Sequence, residues 1–136
     1  NKYTEVSLSF IKSFIKCDAK TLSSLTTDNF ALLLKGNPKV LPMCTSYNKE
    51  FLLKTISPPA INITKYTVID TITEGDKVAI ELATEGKLHS NNADYVGSYH
   101  FSFRFKDDKI SEFREYSDTA NTLAHFMPEL FVNKLV

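Results

Sequence analysis

Hydrophobic residues in the first part of the chain follow a helical spacing. A helix over residues 3–16 is predicted because its apolar positions recur every three or four residues, at Val6, Phe10, Ile11, Phe14 and Ile15. Asp18 is placed to cap a second helix, in which Leu22 and Leu25 form an apolar edge. This part of the chain therefore predicts two consecutive helices.

A short strand and a third helix are predicted next. Residues 26–29 are polar and indicate a turn, whereas the apolar run over residues 30–34 predicts a strand. Thr45 or Ser46 is expected to cap a third helix that begins near Tyr47. Pro58 and Pro59 end that helix, because proline lacks the backbone donor and restricts the residue before it.

The second half of the chain is typical of β-strands. Residues 61–72 are rich in β-branched side chains, and residues 78–85, 99–106 and 112–117 each divide into two sets that alternate along the chain, one for each face of a sheet. Glu74-Gly75-Asp76 is a turn between the first two strands. Helices followed by strands predict an α+β fold, with helices on one side of a mostly antiparallel sheet.

The end of the chain is predicted to be helical again. Ser117 or Asp118 can cap a short helix that Pro128 interrupts. An apolar tail follows, and we expect it to cover the core or a neighbouring subunit: Leu130, Phe131, Val132 and Leu135.

Composition narrows the class of protein without naming a function. The 136 residues suit one domain over residues 1–136, and 16 basic residues balance 16 acidic ones, which argues against a nucleic-acid-binding protein. No apolar run is long enough to cross a bilayer. We therefore expect a cytoplasmic protein, although the absence of an initiator Met leaves a removed signal peptide open.

Cysteine and histidine are too sparse to indicate a metal site. Cys17 and Cys44 are expected to be buried free thiols, with a single bridge as the alternative. The three histidines, His89, His100 and His125, share no metal-ligand spacing. We expect no metal and no cofactor.

The alternation of the last strands predicts which side chains face the interior. An aromatic stripe must face the core, and Ile80, Leu82 and Phe113 should join it: Tyr99, Phe101, Phe103 and Phe105. Glu115 has the same parity as Phe113, so a regular strand points its carboxyl into this apolar side. Burial would raise the pKa of that carboxyl, which suits a general acid or base.

The opposite face of the sheet is predicted to be charged. It carries His100 and Tyr116 beside acidic and basic residues that can pair across strands: Glu81, Arg104, Glu112 and Arg114. A solvated or dimer-forming face explains them without chemistry.

Residues 97–119, GSYHFSFRFKDDKISEFREYSDT, resemble a known family. An aromatic strand, an Asp-x-Lys-Ile turn and an Arg-Glu-Tyr-x-Asp-Thr ending are similar to the SnoaL-like branch of the nuclear transport factor 2-like (NTF2-like) superfamily. That branch includes ketosteroid isomerase-related proteins, polyketide cyclases and limonene-epoxide hydrolase. In the turn, Asp108 precedes Lys109, where the family usually has Gly.

The resemblance implies a curved sheet wrapped by helices into a cone that admits a hydrophobic ligand, and a homodimer formed through the outer sheet face. Glu115 matches the position of a catalytic Asp in the epoxide hydrolases. Their site also needs an Arg-x-Asp pair on an earlier strand, where this chain has Leu82 and Thr84. The resemblance therefore does not imply epoxide hydrolysis.

Two function classes stay open. One is a cofactor-free isomerase, cyclase or hydratase that acts on a small hydrophobic carbonyl or polyketide-like compound, with Glu115 as general acid or base. The other is a non-catalytic module that binds a hydrophobic ligand or dimerises, in which Glu115 bonds a Tyr hydroxyl or a backbone amide. In either class we expect seven residues to contact the ligand: Tyr47, Leu82, Thr84, Tyr99, Phe101, Phe113 and Ser117.

Overall fold

A computed structural model describes residues 1–126 as four helices and one six-stranded sheet. In chain order the elements are α1 (Lys2–Ile15), α2 (Ala19–Leu25), β1 (Thr26–Leu34), β2 (Ser46–Asn48), α3 (Lys49–Thr55), β3 (Ile61–Glu74), β4 (Lys77–Leu88), β5 (Asp94–Lys106), β6 (Lys109–Ser117) and α4 (Thr119–Phe126). Pro128 and the apolar tail at Leu130, Phe131, Val132 and Leu135 lie outside the described residues.

The strands lie side by side in the order β2-β1-β6-β5-β4-β3. Strands β3 to β6 form an antiparallel meander, whereas β1 pairs in parallel with β6. Helix α1 contacts β3 and β4, and α3 contacts β1. The predicted α+β class and the mostly antiparallel sheet are therefore confirmed.

Polar side chains cap the N-termini of the helices by accepting hydrogen bonds from free backbone N–H groups. Asp18 accepts from Thr21 N at 3.1 Å at the start of α2, and Asp118 accepts from Asn121 N at 3.1 Å at the start of α4. Both caps were predicted. The cap of α3 differs from the predicted Thr45 or Ser46. The Asn48 side chain accepts a hydrogen bond from Phe51 N at 2.8 Å there.

Two local predictions are wrong for the same reason. Ser46 and Tyr47 do not begin a helix, because residues 46–48 form strand β2 against β1. Residues 26–29 are not a turn, because they form the first part of β1, where Thr26 pairs with Ile110 of β6. In both places, pairing with a neighbouring strand outweighs the local preference of polar residues.

The predicted aromatic stripe faces the core. Phe101, Phe103 and Phe105 are buried on β5, and Tyr99 is half-buried at the same parity. Their rings pack with those of α1 and β6: Phe103 lies 5.5 Å from Phe10, and both Phe101 and Phe103 pack on Phe113 at 4.9 and 5.1 Å. The register that points these rings inward also sets the direction of Glu115.

The outer face of the sheet carries the predicted charges. Glu112 lies between Arg104 and Arg114, with N–O distances of 3.0 and 2.9 Å, while His100 and Tyr116 are exposed. Such surface pairs add about 0–1 kcal/mol each to stability. Homodimerisation through this face stays a prediction.

Cys17 and Cys44 are both free and half-buried. Among the described residues, no helix has the length and apolar character needed to pass through a membrane.

Candidate functional site

A cavity of about 350 Å³ lies between the inner face of the sheet, α1 and α3. Nineteen of the described residues line it, and fifteen of these are apolar. The polar side chains on its wall are Thr55, Thr84, Tyr99 and Glu115. An apolar pocket of this size with a few converging polar groups is typical of a small-molecule site.

Six of the eight residues named from the sequence line this cavity: Leu82, Thr84, Tyr99, Phe101, Phe113 and Glu115. The strand register brings them together. Leu82 on β4 lies opposite Tyr99 on β5, and Phe101 lies opposite Glu115 on β6. Side chains at alternate positions share one face, so these residues form a continuous wall. Their contact with a ligand stays a prediction.

Tyr47 and Ser117 do not line the cavity. The ring of Tyr47 stacks on Phe51 at 4.5 Å, and its hydroxyl donates to the carbonyl oxygen of Met43 at 2.6 Å. Ser117 ends β6, with its hydroxyl oxygen 3.4 Å from that of Thr122 in α4. Tyr47 lies in β2, before α3 begins, and Ser117 has the predicted parity but lies beyond the edge of the cavity.

Much of the wall comes from elements that the sequence analysis did not assign to the site. The opposite side is built from α1, β1, α3 and the start of β3, with residues that include Phe10, Phe14, Leu34, Leu52, Ile56 and Ile61. The helical spacing of Phe10 and Phe14 indicated a buried face. Only the three-dimensional packing shows that this face borders an empty volume.

Among residues 1–126, Glu115 is the only ionisable carboxyl on the cavity wall. It is half-buried, and its neighbours on the adjacent strands are Phe101 and Leu34. Burial is the cause that raises the pKa of its carboxyl to about 7, since no hydrogen bond or nearby positive charge among the described residues opposes it. The carboxyl can therefore both accept and release a proton near neutral pH.

The charge of Glu115 acts on the hydroxyl groups of two tyrosines, Tyr95 and Tyr99, and raises the pKa of both. The hydroxyl oxygens of Tyr95 and Tyr99 are 2.6 Å apart, and only Tyr99 lines the cavity. Burial, the Tyr95 hydroxyl and the charge of Glu115 all raise the pKa of Tyr99 far above its ordinary value. Tyr99 is therefore held in its protonated form, as a hydrogen-bond donor or acceptor.

The Thr84 hydroxyl lies beside Tyr99 without a partner of its own. Thr84 is 3% exposed, and its Oγ1 makes no hydrogen bond of normal geometry with any described residue. Its proximity nevertheless opposes part of the rise in the pKa of Tyr99. A buried hydroxyl that lacks a partner is costly unless a ligand or water satisfies it.

Gly97 makes room for these three side chains. A Cβ atom at this position would lie 2.6 Å from both Thr84 Oγ1 and Tyr99 Cε2, and 2.8 Å from Tyr95 Cε1. Only glycine lets the two phenol rings pack this closely over β5. Neither Gly97 nor Tyr95 was among the residues named from the sequence.

Solved structures share this architecture. An NTF2-like protein from Burkholderia xenovorans matches with a TM-score of 0.68 and 15% identity, over 87% of this chain and 90% of that one. The chain has the NTF2-like fold. No family model and no curated protein matches its sequence.

Other proteins with the NTF2-like fold match as well. A "Putative Isomerase" from Bacillus subtilis has a TM-score of 0.77 and 17% identity, with 92% of each chain covered. IdmH from Streptomyces antibioticus, described as a "putative polyketide cyclase", has a TM-score of 0.72 and 21% identity, over 91% of this chain and 97% of that one. At these identities the likeness shows the fold alone. The predicted resemblance to SnoaL-like and ketosteroid isomerase-like proteins is confirmed at the level of the fold.

Proposed function

We propose that the protein is a cofactor-free enzyme that transfers a proton on a small apolar carbonyl compound, in a reaction of the isomerase or cyclase kind. The observation that carries this proposal is the Glu115 carboxyl, which borders an apolar cavity and has a pKa of about 7. A general base is most effective when its pKa lies near the working pH. Burial without a charge partner is one of the arrangements by which active sites reach such values.

The proposed reaction begins with an ionised Glu115. Its carboxylate takes a proton from a carbon next to the carbonyl group, and the electron pair of the broken C–H bond moves into the enolate. In an isomerisation, the protonated Glu115 returns the proton to a different carbon of the same molecule. In a cyclisation, the enolate carbon attacks a second carbonyl carbon, and the new alkoxide takes the proton.

Tyr99 is placed to stabilise the enolate oxygen. It lies opposite Ser117 and one alternate position from Phe101, the cross-strand partner of Glu115. Such diagonal neighbours are about 7–8 Å apart at the backbone, which leaves room for a substrate carbonyl between the two side chains. A hydrogen bond donated by Tyr99 to the developing negative charge would lower the barrier.

Tyr95 is a positioning residue in this proposal. When the Tyr95 hydroxyl donates across the 2.6 Å contact to Tyr99, the proton of Tyr99 stays available for the substrate oxygen. The names of the two similar structures, an isomerase and a polyketide cyclase, support the same reaction classes.

Glu115→Gln is expected to slow proton transfer by about 100-fold or more, because the amide keeps the shape of the side chain but cannot act as a base. Deuterium exchange at carbons next to the carbonyl can be followed by NMR, with a panel of small cyclic ketones and β-diketones in D₂O. The exchange catalysed by the unchanged protein should rise with pH through about 7, as Glu115 ionises. Glu112→Gln, on the outer face, is the matched control and should catalyse ketone exchange at the rate of the unchanged protein.

Equal exchange by the unchanged protein and Glu115→Gln would contradict the catalytic role. The mostly apolar wall of the cavity supports a second function, a non-catalytic module that binds a hydrophobic ligand. Ketones that shift the NMR signals of Phe101 and Phe113 but exchange no faster than in buffer would favour that module.

A further inference from the structure

We infer that the cavity also binds apolar amines, as alkylated ammonium ions held between the Glu115 carboxylate and the aromatic rings beside it. This inference goes beyond the proposed reaction, since it needs the cavity and the ionised carboxylate but no proton transfer. It assigns a cationic class of ligand to a site for which the proposed substrates are neutral.

Aromatic side chains form a continuous part of the wall around Glu115. Tyr99 and Phe101 are 5.5 Å apart between ring centroids, Phe101 and Phe113 are 4.9 Å apart, and Phe113 and Phe14 are 5.9 Å apart. All four line the cavity with Glu115. Aromatic faces attract cations, and several rings around one position favour an ammonium group over a neutral group of the same shape.

The carboxylate on this wall has no cationic partner among the described residues. Within residues 1–126, no Lys, Arg or His lines the cavity, and the ion pairs all lie elsewhere. Once ionised, Glu115 therefore carries an uncompensated charge in apolar surroundings. A cation that enters the cavity supplies the missing partner, and the low local dielectric strengthens the attraction.

The rest of the wall favours an alkylated ammonium over a primary one. A primary ammonium has three N–H donors that point in different directions, whereas fifteen of the nineteen described residues on the cavity wall are apolar. Each N–H left without an acceptor in the cavity would be costly. Alkyl groups in place of the N–H groups contact the rings instead, and the 350 Å³ volume accommodates a further apolar substituent.

Several other ionisable groups lie near Glu115. Tyr95 and Tyr99 on β5 have pKa values raised above 10.0, and burial together with the charge of Glu115 raises the pKa of the Cys44 thiol above 9.0. The charge of Asp118 raises the pKa of Tyr95. The His125 ring packs edge-on against the Tyr95 ring, with the two centroids 5.3 Å apart. The remaining cavity-lining residues in the described part of the chain are not ionisable.

The test compares phenyltrimethylammonium with tert-butylbenzene, which has the same shape and no charge. Binding is measured by NMR titration of the full chain at pH 5.5 and pH 8. We expect phenyltrimethylammonium to bind at least about 10-fold more tightly at pH 8 than at pH 5.5, because Glu115 is ionised at pH 8. The affinity for tert-butylbenzene should be equal at the two pH values or higher at pH 5.5.

Glu115→Gln should lose the preference for phenyltrimethylammonium and still bind tert-butylbenzene, which also shows that the cavity is intact. Glu112→Gln should keep the preference, and it controls for the loss of a negative charge outside the cavity. Equal affinities of the two probes at pH 8, failure of phenyltrimethylammonium to bind the unchanged protein, or an unaltered preference in Glu115→Gln would each overturn the inference. Ketone exchange is measured separately, so the proposed reaction would survive a failure of this test.

Discussion

Phe103→Ala is expected to lower the free energy of unfolding by about 3–5 kcal/mol. Phe103 is fully buried at the centre of the sheet, with Val78 opposite it on β4 and Phe113 opposite it on β6. Its ring also meets Phe10 of α1 edge-on at 5.5 Å. Removal of the ring leaves a hole that neither the paired strands nor α1 can fill without losing other contacts, so the cost is at the upper end for a core residue.

Urea unfolding followed by circular dichroism measures this loss. Val96→Ala is the matched control, because Val96 lies on the same strand and is 69% exposed. Its effect should stay within about 0.5 kcal/mol. A loss below about 1 kcal/mol for Phe103→Ala would show that the ring is not part of a close-packed core.

Glu115 is expected to destabilise the folded protein by about 3 kcal/mol above pH 7. Its carboxyl has a pKa of 4.5 in the unfolded chain and about 7 in the folded protein. Between these values the folded state holds a proton that the unfolded state has lost, so unfolding releases a proton and stability falls as the pH rises. Each pH unit of this difference costs about 1.4 kcal/mol. The loss begins near pH 4.5 and is complete just above pH 7.

Comparison with Glu115→Gln isolates this contribution. The difference in unfolding free energy between the variant and the unchanged protein should grow in favour of the variant by about 3 kcal/mol from pH 4.5 to pH 8. Glu112→Gln measures the same loss of charge on the outer face, where Glu112 is paired with Arg104 and Arg114. A pH-independent difference for Glu115→Gln would mean that the carboxyl is solvated or paired in the folded state.

A stability cost of this size is consistent with the proposed role of Glu115 as an active-site acid. The same burial that destabilises the ionised carboxyl makes it a base near neutral pH, and a partner that stabilised it would lower its pKa again. The large aromatic core around Phe103 and Phe113 offsets the cost of the cavity and its acid.

Alternation along the last three strands was enough to predict the inner face of the sheet. The positions of Tyr99, Phe101 and Phe113 follow from a period of two, and the same rule places Glu115 among them. The helix over α1 and the caps at Asp18 and Asp118 follow from equally local rules. These features depend on residues that are close in sequence, so they can be predicted from one sequence alone.

Features set by distant contacts were missed. Tyr47 lies in β2 because residues 46–48 pair with the edge of β1, and no local sequence pattern predicts that pairing. The bond between Tyr95 and Tyr99 depends on the absence of a side chain at Gly97, which a sequence shows only as one glycine within a strand. The cavity itself is a volume left between α1, α3 and the sheet, so its far wall cannot be predicted from any one element.

The most direct measurement is an NMR titration of the Glu115 side-chain carboxyl carbon in the full chain, assigned by comparison with Glu115→Gln. A midpoint of about 7 is expected for an unpaired carboxyl that borders an apolar cavity. A midpoint of 4.5, the ordinary value for Glu, would contradict it and would remove the basis for both the proton transfer and the ammonium site.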